Sequence, residues 1–191
     1  MFEPPNPNIS LIERIWTDYK DYFTRIEVAA RTTLLKEGEI AQKMFFIETG
    51  SVRVWHNHNG NEITCQFFFE NSSVSSIESF KKDIVSPITI QTIEACIIWW
   101  IDKKKFKKII EEIKVIPPLR DMLIDALFER TFDYIKYFST FIVDSPEQRY
   151  LQLLRDRPEV VQRVPQHYIA SYLGISSVHL SRIKNKLAKG K

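Results

Sequence analysis

Only two cysteines, Cys65 and Cys96, occur in 191 residues, and they lie far apart and outside any CxxC pair. That number excludes a four-cysteine iron–sulfur cluster and fits a reducing compartment in which both thiols act as small hydrophobes. Glycine is scarce at five residues and histidine at four. No glycine-rich phosphate loop, GxSxG elbow, His/Cys dyad or clustered set of metal ligands can be assembled from them, so the chain is not expected to be an enzyme. His56-Asn57-His58 reads as a solvated pair near a hairpin, so no metal site is expected, and no cofactor is predicted. No apolar run approaches the roughly 20 residues needed to cross a bilayer. Met1 to Ser10 lacks the basic-then-apolar pattern of a secretory signal. The expectation is a cytoplasmic protein without a membrane partner.

What is present is a globular composition, 44% hydrophobic and 27% charged, with 13 Phe, 7 Tyr and 4 Trp to build cores. The formal net charge of +3 hides an uneven distribution. From Glu147 to Lys191 there are nine Lys/Arg against three acids, and from Arg163 onward no acid at all. A basic lobe on a mildly acidic body points to a polyanionic partner for the lobe. A merely solvated tail is the alternative.

The segment from about Thr32 to Ile101 reads as strands. Met44 to Glu48 runs to a turn at Thr49-Gly50, and Ser51 to Trp55 alternates after it. Asn59-Gly60 signals a type I′ hairpin, because both central residues of that turn need positive φ. Ile63 to Phe67, Ile88 to Ile93 and Ala95 to Ile101 supply further strands. Short strands with tight turns argue for a sandwich or barrel, and the helices that follow make the chain α+β.

Asp102 is a plausible N-cap for a helix carrying Phe106, Ile109, Ile110 and Ile113, and Pro117-Pro118 ends it. Leu119 to Phe141 then runs without Gly or Pro. Leu123, Leu127, Arg130, Tyr134, Tyr137 and Phe141 step by 4, 3, 4, 3 and 4, a heptad seam expected to meet a partner helix. A second stripe, Phe128, Ile135, Phe138 and Ile142, lies on another face. Two apolar faces need two things to pack on, the chain's own barrel and a second copy; burial of both within one chain is the alternative. Ser145-Pro146-Glu147-Gln148 forms a capping box that opens a small terminal unit, which has too few residues for a large core and should lean on the long helix. The expected division is residues 1–116 as a sensor domain, 117–143 as the connecting and dimerisation helix, and 144–191 as the terminal domain.

Gln166 to Asn185 reads as helix, tight turn, helix. Ile169 and Leu173 face inward, Ala170 allows a second helix to cross closely, and Gly174 supplies the positive φ of the turn. Ile175 plugs the corner, Ser176 caps the second helix, and Leu180 and Ile183 face inward. This is the layout of a DNA-binding helix-turn-helix. Ser177, Val178, Ser181 and Arg182 would then point outward. Arg182 can bond a guanine edge bidentately and Val178 can meet a thymine methyl. Ser176, Ser177, Lys184 and Lys186 suit phosphate contacts, His179 suits either role, and Gln166 joins them at the start of the first helix.

The whole arrangement resembles the Crp/Fnr family of bacterial transcription regulators. The resemblance rests on Lys36-Glu37-Gly38-Glu39, on Phe46 to Val52, and on Pro165 through Arg182. It implies an N-terminal double-stranded β-helix (jelly-roll) of the cyclic-nucleotide-binding type, a homodimer across the long helix, and palindromic double-stranded DNA sites. It also implies a small winged-helix-like terminal domain, here without strands for an evident wing, and makes RNA polymerase a candidate further partner. The alternative is a protein-interaction or small-ligand module that no longer binds DNA.

One stretch departs from the resemblance. Members that bind cyclic nucleotides carry a Phe-Gly-Glu-Leu/Ile cassette whose Glu holds the ribose, followed by an Arg for the phosphate. Here Asn71 to Phe80 and Ile84 to Ile88 stand in its place, with Ser75 near the Glu position and Ser86 or Pro87 near the Arg position. Burying a phosphodiester without that Arg leaves its charge unpaired, so cyclic nucleotide binding is not expected. Lys81 and Lys82 are expected in the loop. Ser75, Ser76, Glu78, Ser79 and Ser86 remain candidates to line a pocket for another small effector, of unknown identity.

Overall fold

A computed structural model of the chain describes residues 17–190. The Met1–Ser10 reading therefore lies outside the described residues. Eight strands form two four-stranded antiparallel sheets: β1 (Thr24–Val28), β2 (Thr33–Leu35), β3 (Lys43–Thr49), β4 (Val52–His58), β5 (Asn61–Phe68), β6 (Ser73–Val74), β7 (Thr89–Thr92) and β8 (Cys96–Asp102). The strand orders are β1-β8-β3-β6 and β2-β7-β4-β5, a jelly-roll-like sandwich. Strand β1 precedes the region read as strands; Arg25 and Glu27 alternate outward while Ile26 turns inward against Ile98 of β8. The Asn59-Gly60 hairpin forms as expected, with φ of 53° and 83°. A register shift between Val54 and Trp55 leaves Cys65 unopposed, a bulge that adds twist to the β4–β5 pair.

Between the sheets pack Phe45, Ile47, Val52, Val54, Phe68, Ile90, Ile98 and Ile101, closed at one end by Phe80, Ile109, Ile113 and Leu119. Both thiols are free. Cys96 is buried in this core, and that burial pushes its thiol up to about 11, so it serves as a small hydrophobe. Strand β4 breaks the alternation of a one-sided sheet, because Arg53 is as buried as its neighbours Val52 and Val54. Something must therefore cover the outer face of the second sheet, and the C-terminal helices do.

After a short 3-10 helix at Lys20–Tyr22, seven α-helices follow among the described residues from Ile77 on: α1 (Ile77–Lys82), α2 (Lys103–Ile113), α3 (Pro117–Val143), α4 (Pro146–Asp156), α5 (Pro158–Arg163), α6 (Gln166–Tyr172) and α7 (Ser177–Ala188). Their starts follow the caps read from the residues. Asp102 accepts from the Lys105 N–H, and Ser145 and Gln148 complete the reciprocal box. Lys81 and Lys82, expected in a loop, instead close the short helix α1.

The terminal helices share one apolar cluster with the sheet: Tyr150, Leu153, Val160, Tyr168, Ile169, Leu173, Leu180 and Ile183 pack with Phe67, Phe69 and Ile93. The expectation that this unit leans on the long helix is thus only part of the arrangement. Tyr137 of α3 touches the cluster, but its buried members outside the terminal helices are Phe67 of β5 and Phe69 and Ile93 just beyond the strand ends.

The heptad seam on α3 needs correction. Most of the stripe expected to meet a partner helix faces its own chain. Leu123 packs on the sandwich core, the Arg130 guanidinium lies 4.7 Å from the Phe68 ring centre, and Tyr134 donates to Gln66. Tyr137 stacks on Tyr172 at 4.8 Å, and Phe141 lies under the Arg149 guanidinium. Leu127 is the most exposed member at 68%, and Tyr134 and Phe141 remain partly open despite these contacts. The face left bare is the second stripe, Phe128, Ile135, Phe138 and Ile142, extended by Ile124 and flanked by Phe132 and Val143. Both stripes carry the same 3.5-residue period, so periodicity alone could not say which one the chain keeps for itself.

Candidate nucleic-acid interface

Helices α6 and α7 cross over the turn at 173–176. Gly174 sits at φ 68°, its N–H bonds the Ser171 carbonyl, and Ile175 N–H reaches back to the Ala170 carbonyl. This αL ending satisfies carbonyls that the last turn of α6 would otherwise leave open. Ser176 then caps α7, accepting from the His179 N–H at 3.2 Å. Ala170, Leu173, Leu180 and Ile183 are all buried. Ile175 is half-buried at the corner, packed against the same cluster.

The opposite face of α7 is open. Ser177, Val178, His179, Ser181, Arg182 and Lys186 are exposed, and Lys184 is partly so. Ser176 and Gln166 are exposed at the starts of α7 and α6. Among the described residues, Arg182 and Lys184 have no ion-pair partner, whereas Lys186 pairs with Glu147 of α4 at 2.7 Å. Val178, at 61% exposed, is an apolar side chain displayed among polar ones.

Arg163, counted above with the unopposed basic charge, is engaged elsewhere. Its guanidinium forks onto both oxygens of Glu70, at 2.8 and 2.7 Å, and reaches Glu94 at 2.6 Å. The Glu70 carboxyl falls to about 2, held down first by that guanidinium and also by the Gly50 N–H. Arg53 makes a second tie. It is 1% exposed, lies 3.7 Å from the Tyr168 ring centre of α6, and bonds Glu62 and Gln91. Arg157 adds a third by donating to the Phe67 carbonyl at 3.1 Å. These contacts fix α5 and α6 to the second sheet. No local pattern could have revealed them, because the partners are distant in sequence and each residue taken alone reads as a surface charge.

The serines of the 71–88 stretch are placed differently from the Arg182 group. Ser75 donates to the Lys43 carbonyl at 2.9 Å, and Ser86 to the Ile88 carbonyl at 2.8 Å. Ser79 accepts from the Ala41 N–H and donates to the Ile84 carbonyl. Ser76 is buried at the start of α1, while Glu78 is exposed and paired with Lys82. None of these five residues lines either of the two clefts described. Ser75 thus ties the stretch to β3, while the hydroxyls of Ser79 and Ser86 brace loop backbone. Among the described residues there is no His/Cys/Asp/Glu group able to hold a metal ion, and no helix is long and apolar enough to cross a membrane.

A double-sheet jelly roll closed by helices is the architecture of cyclic-nucleotide-binding regulators. Residues 25–113, under half of the 191, match the cyclic nucleotide-binding domain family. No curated protein sequence matches the chain. The structure is similar to that of CLP from Xanthomonas campestris, described as a c-di-GMP responsive global regulator, with a TM-score of 0.75 at 16% identity over 93% of this chain and 92% of that one. It is similar also to a mutant of CooA from Carboxydothermus hydrogenoformans, at TM-score 0.67 and 17% identity, covering 88% of this chain and 78% of that one. A cyclic nucleotide-binding domain containing protein from Listeria monocytogenes gives TM-score 0.70 and 17% identity, covering 97% and 92%. At these identities the likeness is one of fold, and its coverage takes in the C-terminal helices as well as the sandwich.

Proposed function

We propose that the chain is a homodimeric, sequence-specific DNA-binding transcription regulator of the Crp/Fnr type, and not an enzyme. The observation that carries this reading is the exposed, acid-free face of α7, held over a buried two-helix corner. In it α7 enters the major groove, Arg182 and Val178 read base edges, and Ser176, Ser177, Ser181, His179, Lys184 and Lys186 position the helix, with Gln166 at the start of α6. Lys186 must leave Glu147 to do so. The winged-helix-like unit spans 144–191, the sensor 1–116, and the connecting helix 117–143 carries the dimer contact. The bare stripe of α3 supports that contact, since a run of exposed Phe and Ile at heptad spacing is costly in water and is buried by a second copy.

In this reading the sensor does not hold a cyclic nucleotide at its serine-rich stretch. Ser75 and Ser86 stand near the positions where a carboxylate and a guanidinium would be needed, and both hydroxyls bond backbone carbonyls. An effector acts by binding one arrangement of sensor and α7 more tightly than another. CLP and CooA, as fold relatives, support a regulatory role in kind only.

The test is selection and sequencing of genomic fragments retained by the purified chain at moderate salt, with and without cell extract. Enrichment of one inverted-repeat motif is expected. Retention that is weak, unselective and insensitive to salt would replace this reading with a protein-interaction module, because phosphate contacts make affinity fall steeply as salt rises.

A further inference from the structure

A cleft of about 450 Å³ opens where α3 leaves the sandwich, between β5, α3, α4 and the end of α6. Of the serine-rich stretch, Ser72 alone reaches it. The cleft therefore differs from the place where the Crp/Fnr resemblance puts an effector. Four cations line it, and two are already matched. Lys136 lies 3.8 Å from Asp156, and Arg157 is paired with Glu159 at 3.2 Å.

The other two have no carboxylate among the described residues. Arg149 spends two nitrogens on the backbone carbonyls of Asp144 and Leu173, at 2.7 and 3.0 Å. Its Nε is shielded from solvent and has no hydrogen-bond partner. Arg130 rests its guanidinium over the rings of Phe68 and Tyr134 and makes no ion pair. A half-buried guanidinium without a counter-charge is costly, and an oxyanion is the group its fork fits best. Asp133 also lines the cleft, but it is exposed, so water and salt weaken its repulsion.

The remaining wall is part aromatic and part polar, with Gln66, Thr140 and Gln152 beside the rings. Tyr137 lies between Tyr172, stacked at 4.8 Å, and Phe141, edge-on at 5.1 Å. A cleft of this volume is in the range of about 300–1,000 Å³ that holds small organic ligands. Flat apolar surface beside uncompensated guanidinium selects one chemistry, a planar ring carrying an acidic group.

We propose that this cleft binds a small organic anion in which a flat ring bears a carboxylate or a phosphate, with the guanidiniums of Arg130 and Arg149 supplying the positive charge of the cleft. Because its walls come from the sheet, the long helix and α4–α6, occupancy ties the sensor to the unit that carries α7. Binding itself does not depend on whether α7 reads DNA.

The experiment is calorimetric titration of the full chain, separately with salicylate and with adenosine 5′-monophosphate, for the wild type, Arg149→Met and Arg130→Met. Saturable binding of at least one probe is expected, weakened about tenfold to a hundredfold in each variant. Salicylate alone would assign the carboxylate class, and the nucleotide alone the phosphate class. Arg149 holds two backbone carbonyls, so if its variant fails to fold, Arg130→Met decides. Absence of saturable binding of both probes up to about 1 mM overturns the proposal, as does binding that the folded variants leave unchanged. Neither result touches the DNA selection, so the two readings fail separately.

Discussion

Ser171 of α6 closes the free edge of β5: its hydroxyl accepts from the Thr64 N–H at 2.9 Å and donates to the Glu62 carbonyl at 2.8 Å. Strand β5 is the last in its sheet, so these backbone groups have no neighbouring strand to bond. One side chain from the C-terminal unit satisfies both. Ser171→Ala is expected to lower stability by about 1–3 kcal/mol, the cost of leaving partly buried backbone groups unpaired. Urea denaturation followed by circular dichroism measures it. A loss within about 0.5 kcal/mol would mean that water replaces the hydroxyl without penalty.

Glu70 and Arg163 tie the same two parts by charge. The folded-state pKa of Glu70 is depressed to about 2, chiefly by the Arg163 guanidinium. Such a group contributes stability that is fully present above its unfolded value of roughly 4.3 and is lost as pH falls through the folded value. The acid limb of the stability curve of wild type should therefore drop between these values. In Glu70→Gln the drop should be shallower, with lower stability at neutral pH. Each side chain is about a third exposed, so solvent screening holds the effect to about 1 kcal/mol. Parallel acid limbs for the two proteins would show that the pair contributes no pH dependence.

Much of this architecture is readable from local pattern. The hairpin at Asn59-Gly60, the caps at Asp102, Ser145 and Ser176, and the inward set Ile169, Leu173, Leu180 and Ile183 all follow from short-range chemistry. What escapes is decided at long range. Arg53 reads as the outward polar residue of an alternating strand, yet Tyr168 covers it from more than a hundred residues away. The two stripes of α3 share one period, and the inward one is the less apolar, since it carries Arg130, Tyr134 and Tyr137. Gln66, Phe68 and Tyr172 select the one that turns inward, and none of these lies on α3. The Arg130–Arg149 cleft is hidden for the same reason, since its walls meet only after the sheet and the helices have docked.

That selection separates two substitutions one residue apart. Phe138 is 66% exposed, whereas Tyr137 stacks on Tyr172 and donates to its carbonyl at 3.2 Å. Under the proposed dimer, Phe138→Glu should convert dimer to monomer in sedimentation equilibrium while leaving the monomer's thermal stability nearly unchanged. Tyr137→Phe should instead leave association intact and cost about 0.5–1.5 kcal/mol through the lost hydrogen bond. A Phe138→Glu protein that still associates like the wild type would remove this face from the dimer contact.

Arg182 and Lys184 stand two residues apart on α7. Both are free of ion pairs among the described residues, but Arg182 is exposed on the outward face whereas Lys184 is partly covered. If α7 lies in the major groove, the Arg182 fork suits the two acceptors of a guanine edge, and Lys184 suits a phosphate. Arg182→Ala should then cost about 1–3 kcal/mol at one base pair and relax preference there, with other positions unaffected. Lys184→Ala should weaken binding evenly across sequences and reduce the salt slope by about one. Competition binding against a panel of single-base operator variants at two salt concentrations distinguishes them. An operator preference identical in wild type and Arg182→Ala would take Arg182 out of direct readout and leave the helix positioned by backbone contacts alone.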